Sequence, residues 1–261
     1  MPELPEVEQA RRFLERNALN RKILSVEVFD DGVLQDIEGP MFAEILTGRS
    51  MTIAGRRGKQ IFIGLDDGSF LTIHLGMTGG LILDEDGSVP RYSRIALRFE
   101  GGASLFYSDQ RKFGALGVVD TVDHFVNEHK LGPDALCISL SDFKDRVSSH
   151  KKAIKSVLLD QSVLSGIGNL YADEVLFQVR LHPETRADTI SSRKIGDLHR
   201  NIGIVLRGSI AVSSDFASLP NGYLLRAREE GAECPRHNGL LEMIKVGGRT
   251  SIFCPKCQRP K

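Results

Sequence analysis

The sequence predicts an α+β chain: a β-sandwich behind one N-terminal helix, then a helical region that ends in a cysteine-flanked β-hairpin. Three observations predict it. From about Lys22 to Val119 the chain is a series of short β-rich runs broken by glycine pairs and Asp-Gly turns. Residues 141–212 then change to helical spacing, and three of the four cysteines fall beyond residue 230, around a glycine-turned hairpin.

Taken in order, residues 5–18 place Val7, Ala10, Leu14 and Ala18 at helical spacing behind Pro5, a residue suited to a first helical turn. The runs MTIAG, QIFIGL-DDG-SFLTIHL, GGLILD and SRIALRF-EGG-ASLFYSD follow, and hairpins at that density suggest a sandwich or flattened barrel. The stretch 126–136 (VNEHKLGPDAL) reads as a linker. FKDRV, IKSVLLDQSVL, LYADEVLFQVRL and IGDLHRNIGIVLRGSIAV read as helices, and LLEMIKV-GG-RTSIF as the closing hairpin. The predicted division is 1–125, the linker, 137–229 and 230–261.

Composition narrows the class. Of 261 residues 41% are hydrophobic and 26% charged, in the globular range, with no internal repeat or low-complexity tract. No apolar run approaches the roughly 18 residues that span a bilayer, so the chain reads as soluble, cytoplasmic and without a membrane partner. Lys+Arg and Asp+Glu balance at 34 each. The balance is a sum of two halves: residues 1–130 hold 15 bases and 20 acids, and residues 131–261 hold 19 and 14. From Cys234 onward six bases face one acid, Glu242. That surplus suits a polyanion, although a solubilising tail has the same charge.

Cys234 and His237 form C-x2-H, and Cys254 and Cys257 form C-x2-C after a gap of 16 residues. Two ligand pairs joined by a hairpin match a tetrahedral Cys3His zinc site, a closed and therefore structural one. A short hairpin has too little core to hold itself together, which gives the metal a physical purpose. The spacing also admits two disulfides with His237 at the surface, but a cytosolic setting disfavours these. Cys137, between Leu136 and Ile138, reads as a small buried hydrophobe.

The chain begins MPELPEVE. With Met1 removed, Pro2 presents a secondary amine that titrates near ~8 and can attack a carbonyl carbon to form a Schiff base. Glu3 and Glu6 supply carboxylates for proton transfer. A Pro/Glu-rich helix start with no chemistry has the same appearance.

MPELPEVE, the GRRGK hairpin tip, HLGMTG, DQRKFG, GIGNLYADE and the C-terminal cysteine hairpin occur together in this order. Over nearly the whole chain this resembles the formamidopyrimidine-DNA glycosylase and endonuclease VIII family of DNA repair enzymes, and PELPEVE resembles its formamidopyrimidine branch. The resemblance implies a bifunctional glycosylase and abasic-site lyase. Such an enzyme would act as a monomer on duplex DNA carrying oxidised bases or abasic sites, with the duplex lying between two domains. The helical region would be a helix–two-turn–helix domain. One structural zinc and no organic cofactor are implied. Pro2 would attack C1′, Glu3 would protonate the opening deoxyribose, and Lys59 would contact phosphate and assist proton transfer. Glu6 and Glu174 match acids near the lesion, and Lys155 a lysine near the flipped base. Met77, Arg111 and Phe113 match a triad that fills the void left by the extruded nucleotide, where Arg111 bonds the orphaned partner base; ordinary core packing is the other reading of Met77 and Phe113. Asn169 would open a helix whose N–H groups hold phosphate, or serve as a plain N-cap. Arg249 matches a phosphate-clamping arginine, or is a solvated charge.

The sequence departs from that family in three places. His237 stands where the family usually has cysteine. Tyr92 and Arg94, in RYSR, stand where formamidopyrimidine glycosylases often carry two histidines near a phosphate, and are expected to contact DNA in their place. The stretch 213–234 is several residues shorter than in members that fold a loop over 8-oxoguanine. This leaves room for formamidopyrimidines or oxidised pyrimidines as substrates, beside the further reading of a catalytically silent damaged-DNA binder.

Overall fold

The computed structural model describes residues 2–259. It divides into two compact units: Pro2 with Glu6–His129, and Glu3–Pro5 with residues 130 onward.

In the first unit, α1 (Leu4–Asn17) turns Val7, Leu14 and Ala18 into a core shared with two four-stranded antiparallel sheets. One sheet has the order β1 (Ile23–Val28), β6 (Ser93–Phe99), β7 (Ser104–Asp109), β5 (Gly79–Asp84). The other has the order β2 (Met51–Arg57), β3 (Gln60–Leu65), β4 (Phe70–His74), β8 (Ala115–Val119). Ile61, Ile63, Leu71 and Ile73 from one sheet meet Ile95, Leu97, Leu105 and Tyr107 from the other, which makes the expected β-sandwich. Glu8 of α1 accepts from Arg11 and Arg12 on its own helix and from Arg56 of β2. Burial pushes Glu8 up, but the three guanidiniums outweigh it and hold the carboxyl at about 2.

Two helices lie inside segments read otherwise. Residues Gly39–Leu46 form α2, where Pro40 opens the first turn and Phe42 and Leu46 are buried. Residues Val122–Glu128 form α3, N-capped by the Thr121 hydroxyl, so helix runs into the stretch read as linker.

The second unit holds α4 (Leu140–Ser148), α5 (Ile154–Leu159), α6 (Asn169–Gln178) and α7 (Ser192–Ala211), followed by the hairpin β9 (Glu242–Val246) and β10 (Arg249–Phe253). The helix expected over IKSVLLDQSVL stops at Leu159, because Asp160 turns the chain: its carboxylate accepts from Ser162 N–H and O–H. The hairpin belongs to the same compact unit as the helices. Asp173 explains the join. This α6 residue is buried and accepts from Lys155 Nζ of α5 at 2.7 Å, Ser251 Oγ at 2.7 Å and Ile252 N–H of β10 at 3.1 Å. Arg228 reaches its Oδ2 at 2.6 Å. Cys137 is exposed rather than buried, since the turn closed by Asp134 directs Ala135 and Ile138 inward instead. No helix among the described residues is long and apolar enough to cross a membrane.

Candidate functional site

Pro2 is half-buried, and Met1, whose removal would free its amine, lies outside the described residues. Glu3, the next residue, is 1% exposed. Its carboxylate closes the N-terminal end of α6: Oε2 accepts from Gly168 N–H at 2.8 Å and Tyr171 N–H at 3.2 Å, and Oε1 from Leu170 N–H at 2.8 Å. Three donors and the positive end of the helix suit an anionic side chain there. The backbone of GIGN makes the approach possible. A Cβ on Gly168 would fall 2.3 Å from Glu3 Cδ, so only glycine admits the carboxylate.

This arrangement changes the role read for Asn169. Glu3 takes the N–H groups of Gly168, Leu170 and Tyr171, and Gly168, not Asn169, is the N-cap. Asn169 Oδ1 is buried and has no hydrogen-bond partner among the described residues.

Lys59 occupies the two-residue turn Gly58–Lys59 between β2 and β3, where Gly58 takes φ 58°. Arg56 braces that turn by donating to Gly58 O at 2.8 Å while it pairs with Glu8. Glu6 is half-buried on α1.

The proposed void-filling residues are at the surface of the first unit. Met77 is 37% and Phe113 56% exposed, which removes core packing as their explanation. Arg111 places its guanidinium carbon 4.8 Å from the Phe113 ring centre, a cation–π stack. Arg249 is exposed at the start of β10, beside the Gly247–Gly248 turn.

Three expected DNA or lesion contacts are engaged inside the protein. Arg94 donates to Asp109 O and to Asp30, leaving its side chain 17% exposed. Lys155 is fully buried against Asp173 and Thr250 O, and burial pushes its amine below the usual lysine range. Glu174 is also fully buried: it accepts from Gln178 and from Leu225 N–H, and burial pushes it up to about 7. Each has a partner from another element (Asp30 for Arg94, Asp173 for Lys155, Leu225 N–H for Glu174), which gives no local signal in sequence. Tyr92 sits at φ 62°, half-buried, with Arg91 stacked on its ring.

Cys234, His237, Cys254 and Cys257 converge, with one ligand atom from each all within 4.8 Å of one another. His237 Nε2 lies 3.2 Å from Cys254 Sγ and 3.3 Å from Cys257 Sγ, and Cys234 and Cys257 Sγ are 4.0 Å apart. A tetrahedral ion with metal–sulfur bonds of about 2.3 Å sets ligand atoms roughly 3.5–3.8 Å apart, so the four residues can hold a metal. Burial and the neighbouring thiols push Cys257 up to about 12, an arrangement of thiols that a cation would stabilise as thiolates.

Sequence reasoning missed Asp173, Arg228, Asp109 and Thr78, all of which organise the parts above. Asp109 and Asp173 lie inside the motifs DQRKFG and LYADE, which was the available signal.

Residues 1–116 match the formamidopyrimidine-DNA glycosylase N-terminal domain, and residues 131–219 the formamidopyrimidine-DNA glycosylase H2TH domain. A formamidopyrimidine-DNA glycosylase of Desulforamulus reducens is 35% identical over the full length of both chains. One from Arabidopsis thaliana is 32% identical over 99% of this chain and 71% of its own. A solved Lactococcus lactis Fpg in complex with abasic-site DNA is 29% identical, has a TM-score of 0.89 and covers 99% of this chain and 100% of its own. The same organism's Fpg with Fapy-dG DNA gives 0.88 at 30% identity, covering 98% and 100%. The chain belongs to the formamidopyrimidine-DNA glycosylase family, the DNA glycosylases of base excision repair.

Proposed function

We propose that this chain is a bifunctional glycosylase and abasic-site lyase that removes formamidopyrimidines from duplex DNA through a Schiff base on Pro2. The observation that carries the reading is Glu3, fixed by three backbone N–H groups one residue after the proline. With Met1 removed, the Pro2 amine attacks C1′ of the damaged nucleotide and the base departs. Glu3 exchanges the proton that lets the deoxyribose ring open, and Lys59 contacts phosphate and supports proton transfer. The iminium makes the C2′ proton acidic, so β and then δ elimination break the 3′ and 5′ phosphate bonds, and hydrolysis of the iminium by water frees Pro2 and the sugar fragment, leaving a one-nucleotide gap. Met77, Arg111 and Phe113 take the vacated place in the stack, and Arg249 and Tyr92 contribute phosphate contacts.

The segment 213–234 supports a ring-opened substrate over 8-oxoguanine held under a loop. Leu219, Leu224 and Leu225 are buried, Arg226 donates to Ala217 O and Leu219 O, and Glu174 holds Leu225 N–H, so the segment is tied to its own unit. The metal of the cysteine–histidine cluster is proposed to be a structural zinc, with all four positions filled by protein and no part in the reaction.

Borohydride reduction tests the chemistry. Wild-type protein should be trapped covalently on abasic-site DNA, and Pro2→Gly or a form retaining Met1 should be trapped far more weakly; equally efficient trapping by all three would overturn the Pro2 assignment. Excision from duplexes carrying formamidopyrimidine, 8-oxoguanine or 5-hydroxycytosine ranks the substrates, and the first should be fastest.

A further inference from the structure

Asp109, the last residue of β7, is fully buried, and its carboxylate serves two separate segments. Oδ1 accepts from Thr78 Oγ1 at 2.5 Å and from Arg111 N–H at 3.1 Å. Oδ2 accepts from Gly114 N–H at 2.9 Å and from the Tyr107 hydroxyl at 3.3 Å. Thr78 Oγ1 itself accepts from Arg111 N–H at 3.1 Å, so donor and acceptors close a small ring. One of these segments carries Met77 and the other Arg111 and Phe113.

The two backbones also touch. Gly76 takes φ 59°, and a Cβ on it would stand 2.3 Å from the Phe113 carbonyl carbon and 2.4 Å from Gly114 N. Further bonds restrain the second segment: Arg94 donates to Asp109 O, and Lys112 pairs with Asp30 at 2.5 Å. Lys112 sits at φ 55°, a left-handed conformation that persists in a non-glycine residue only where the surroundings hold it.

We propose that Asp109 and Thr78 are positioning residues that lock the Met77 turn to the Arg111–Phe113 loop, so that all three side chains enter the duplex as one preassembled wedge. The inference rests on the void-filling reading above and adds its cause. Two independent loops would each lose freedom on insertion, whereas loops already joined lose less. Placement errors near 1 Å are enough to cost an enzyme much of its rate.

Thr78→Val removes the hydroxyl at nearly constant shape, Thr78→Ser restores it, and Asp109→Asn sets an NH2 group against N–H donors. Each is compared on two substrates: a lesion in duplex DNA, and a preformed abasic site in a single strand, which has no stacked void to fill. Thr78→Val and Asp109→Asn should lose on the order of 10- to 100-fold in duplex excision, while Thr78→Ser keeps it. Borohydride trapping on the single strand should stay within about twofold of wild type, since no base need be extruded. Equal losses on both substrates, or undiminished duplex excision, would overturn the proposal. A wild-type protein that traps on neither substrate overturns the Pro2 reading instead. Should Asp109→Asn not fold, judged by its circular dichroism, the Thr78 pair decides alone.

Discussion

Replacing Asp173 with alanine should nearly unfold the helical and cysteine-hairpin unit. The side chain is 0% exposed and faces a Lys155 that is also 0% exposed, with Arg228 at 15%. Its removal leaves one buried ammonium and one nearly buried guanidinium without a counter-charge. Breaking such a pair from one side costs about 3–5 kcal/mol. The Ser251 hydroxyl and Ile252 N–H lose their acceptor as well, at about 1–3 kcal/mol each. These losses share one cavity and do not add, so about 5 kcal/mol is the working figure. Against a domain stability of about 5–15 kcal/mol, and at roughly 2–4 °C per kcal/mol, melting should fall by about 10–20 °C. The assay is denaturant unfolding followed by circular dichroism at fixed metal-ion concentration. The paired variant Asp173→Leu with Lys155→Met should recover the ionic part of the loss, because apolar groups of similar volume replace the ions and Arg228 can turn to solvent, while Ser251 and Ile252 N–H still lack their acceptor. A single variant within about 1 kcal/mol of wild type, as for a surface pair, or a double variant no better than the single one, would refute the reasoning.

Other outcomes follow from the same physics. Glu174 lies up at about 7 in the folded chain against an ordinary 4.5. Its stabilisation is therefore complete below the unfolded value and lost as pH rises through 7. Unfolding free energy should drop by up to about 3 kcal/mol between pH 5 and 8, and Glu174→Gln should flatten that slope; parallel slopes would contradict the burial argument. Glu8 is the opposite case, held at about 2: its contribution is present above 4.5 and lost as pH falls towards 2, so Glu8→Gln should be less acid-sensitive than wild type in the same titration. Stripping the metal with a chelator should open the β9–β10 hairpin to hydrogen exchange and weaken DNA binding, and a hairpin that stays protected would count against a structural metal. Gly168→Ala should abolish covalent trapping without touching Pro2, since the new Cβ falls 2.3 Å from Glu3 Cδ; trapping at the wild-type rate would show that the Glu3 seat is dispensable.

Features that depend on local pattern were legible from sequence. Strand alternation, the glycine turns and the ligand spacing of Cys234, His237, Cys254 and Cys257 carry their own geometry, and the sandwich and the ligand cluster stand where those patterns put them, whereas the helix read over IKSVLLDQSVL stops at Leu159. The α2 helix was not legible, because PMFAEIL is a short apolar run whose periodicity suits strand or helix alike. The internal partners of the charged residues were not legible, and for one reason. A lysine, arginine or glutamate in a family motif reads as a ligand contact, yet its partner is chosen by tertiary structure. Lys155 finds Asp173, Arg94 finds Asp30 and Asp109 O, and Glu174 finds Leu225 N–H.

The residues assigned to DNA therefore sort by exposure. Burying a charge is costly unless partners are built in, so a buried charged residue with a full set of internal partners is committed to holding the fold. An exposed phenylalanine or methionine is free of such commitments, and where two stand on adjoining turns their apolar surface is available to a partner. Phe113 and Met77 fall in that second group, and the buried carboxylate of Asp109 fixes the turns that bear them. Glu3 belongs to both groups, since one carboxylate caps α6 and, in the proposed reaction, also serves Pro2. That dual role predicts that Glu3→Gln loses activity and stability together, whereas Pro2→Gly loses activity alone. Unfolding curves for the two variants separate these outcomes, and coincident curves would deny Glu3 its structural half.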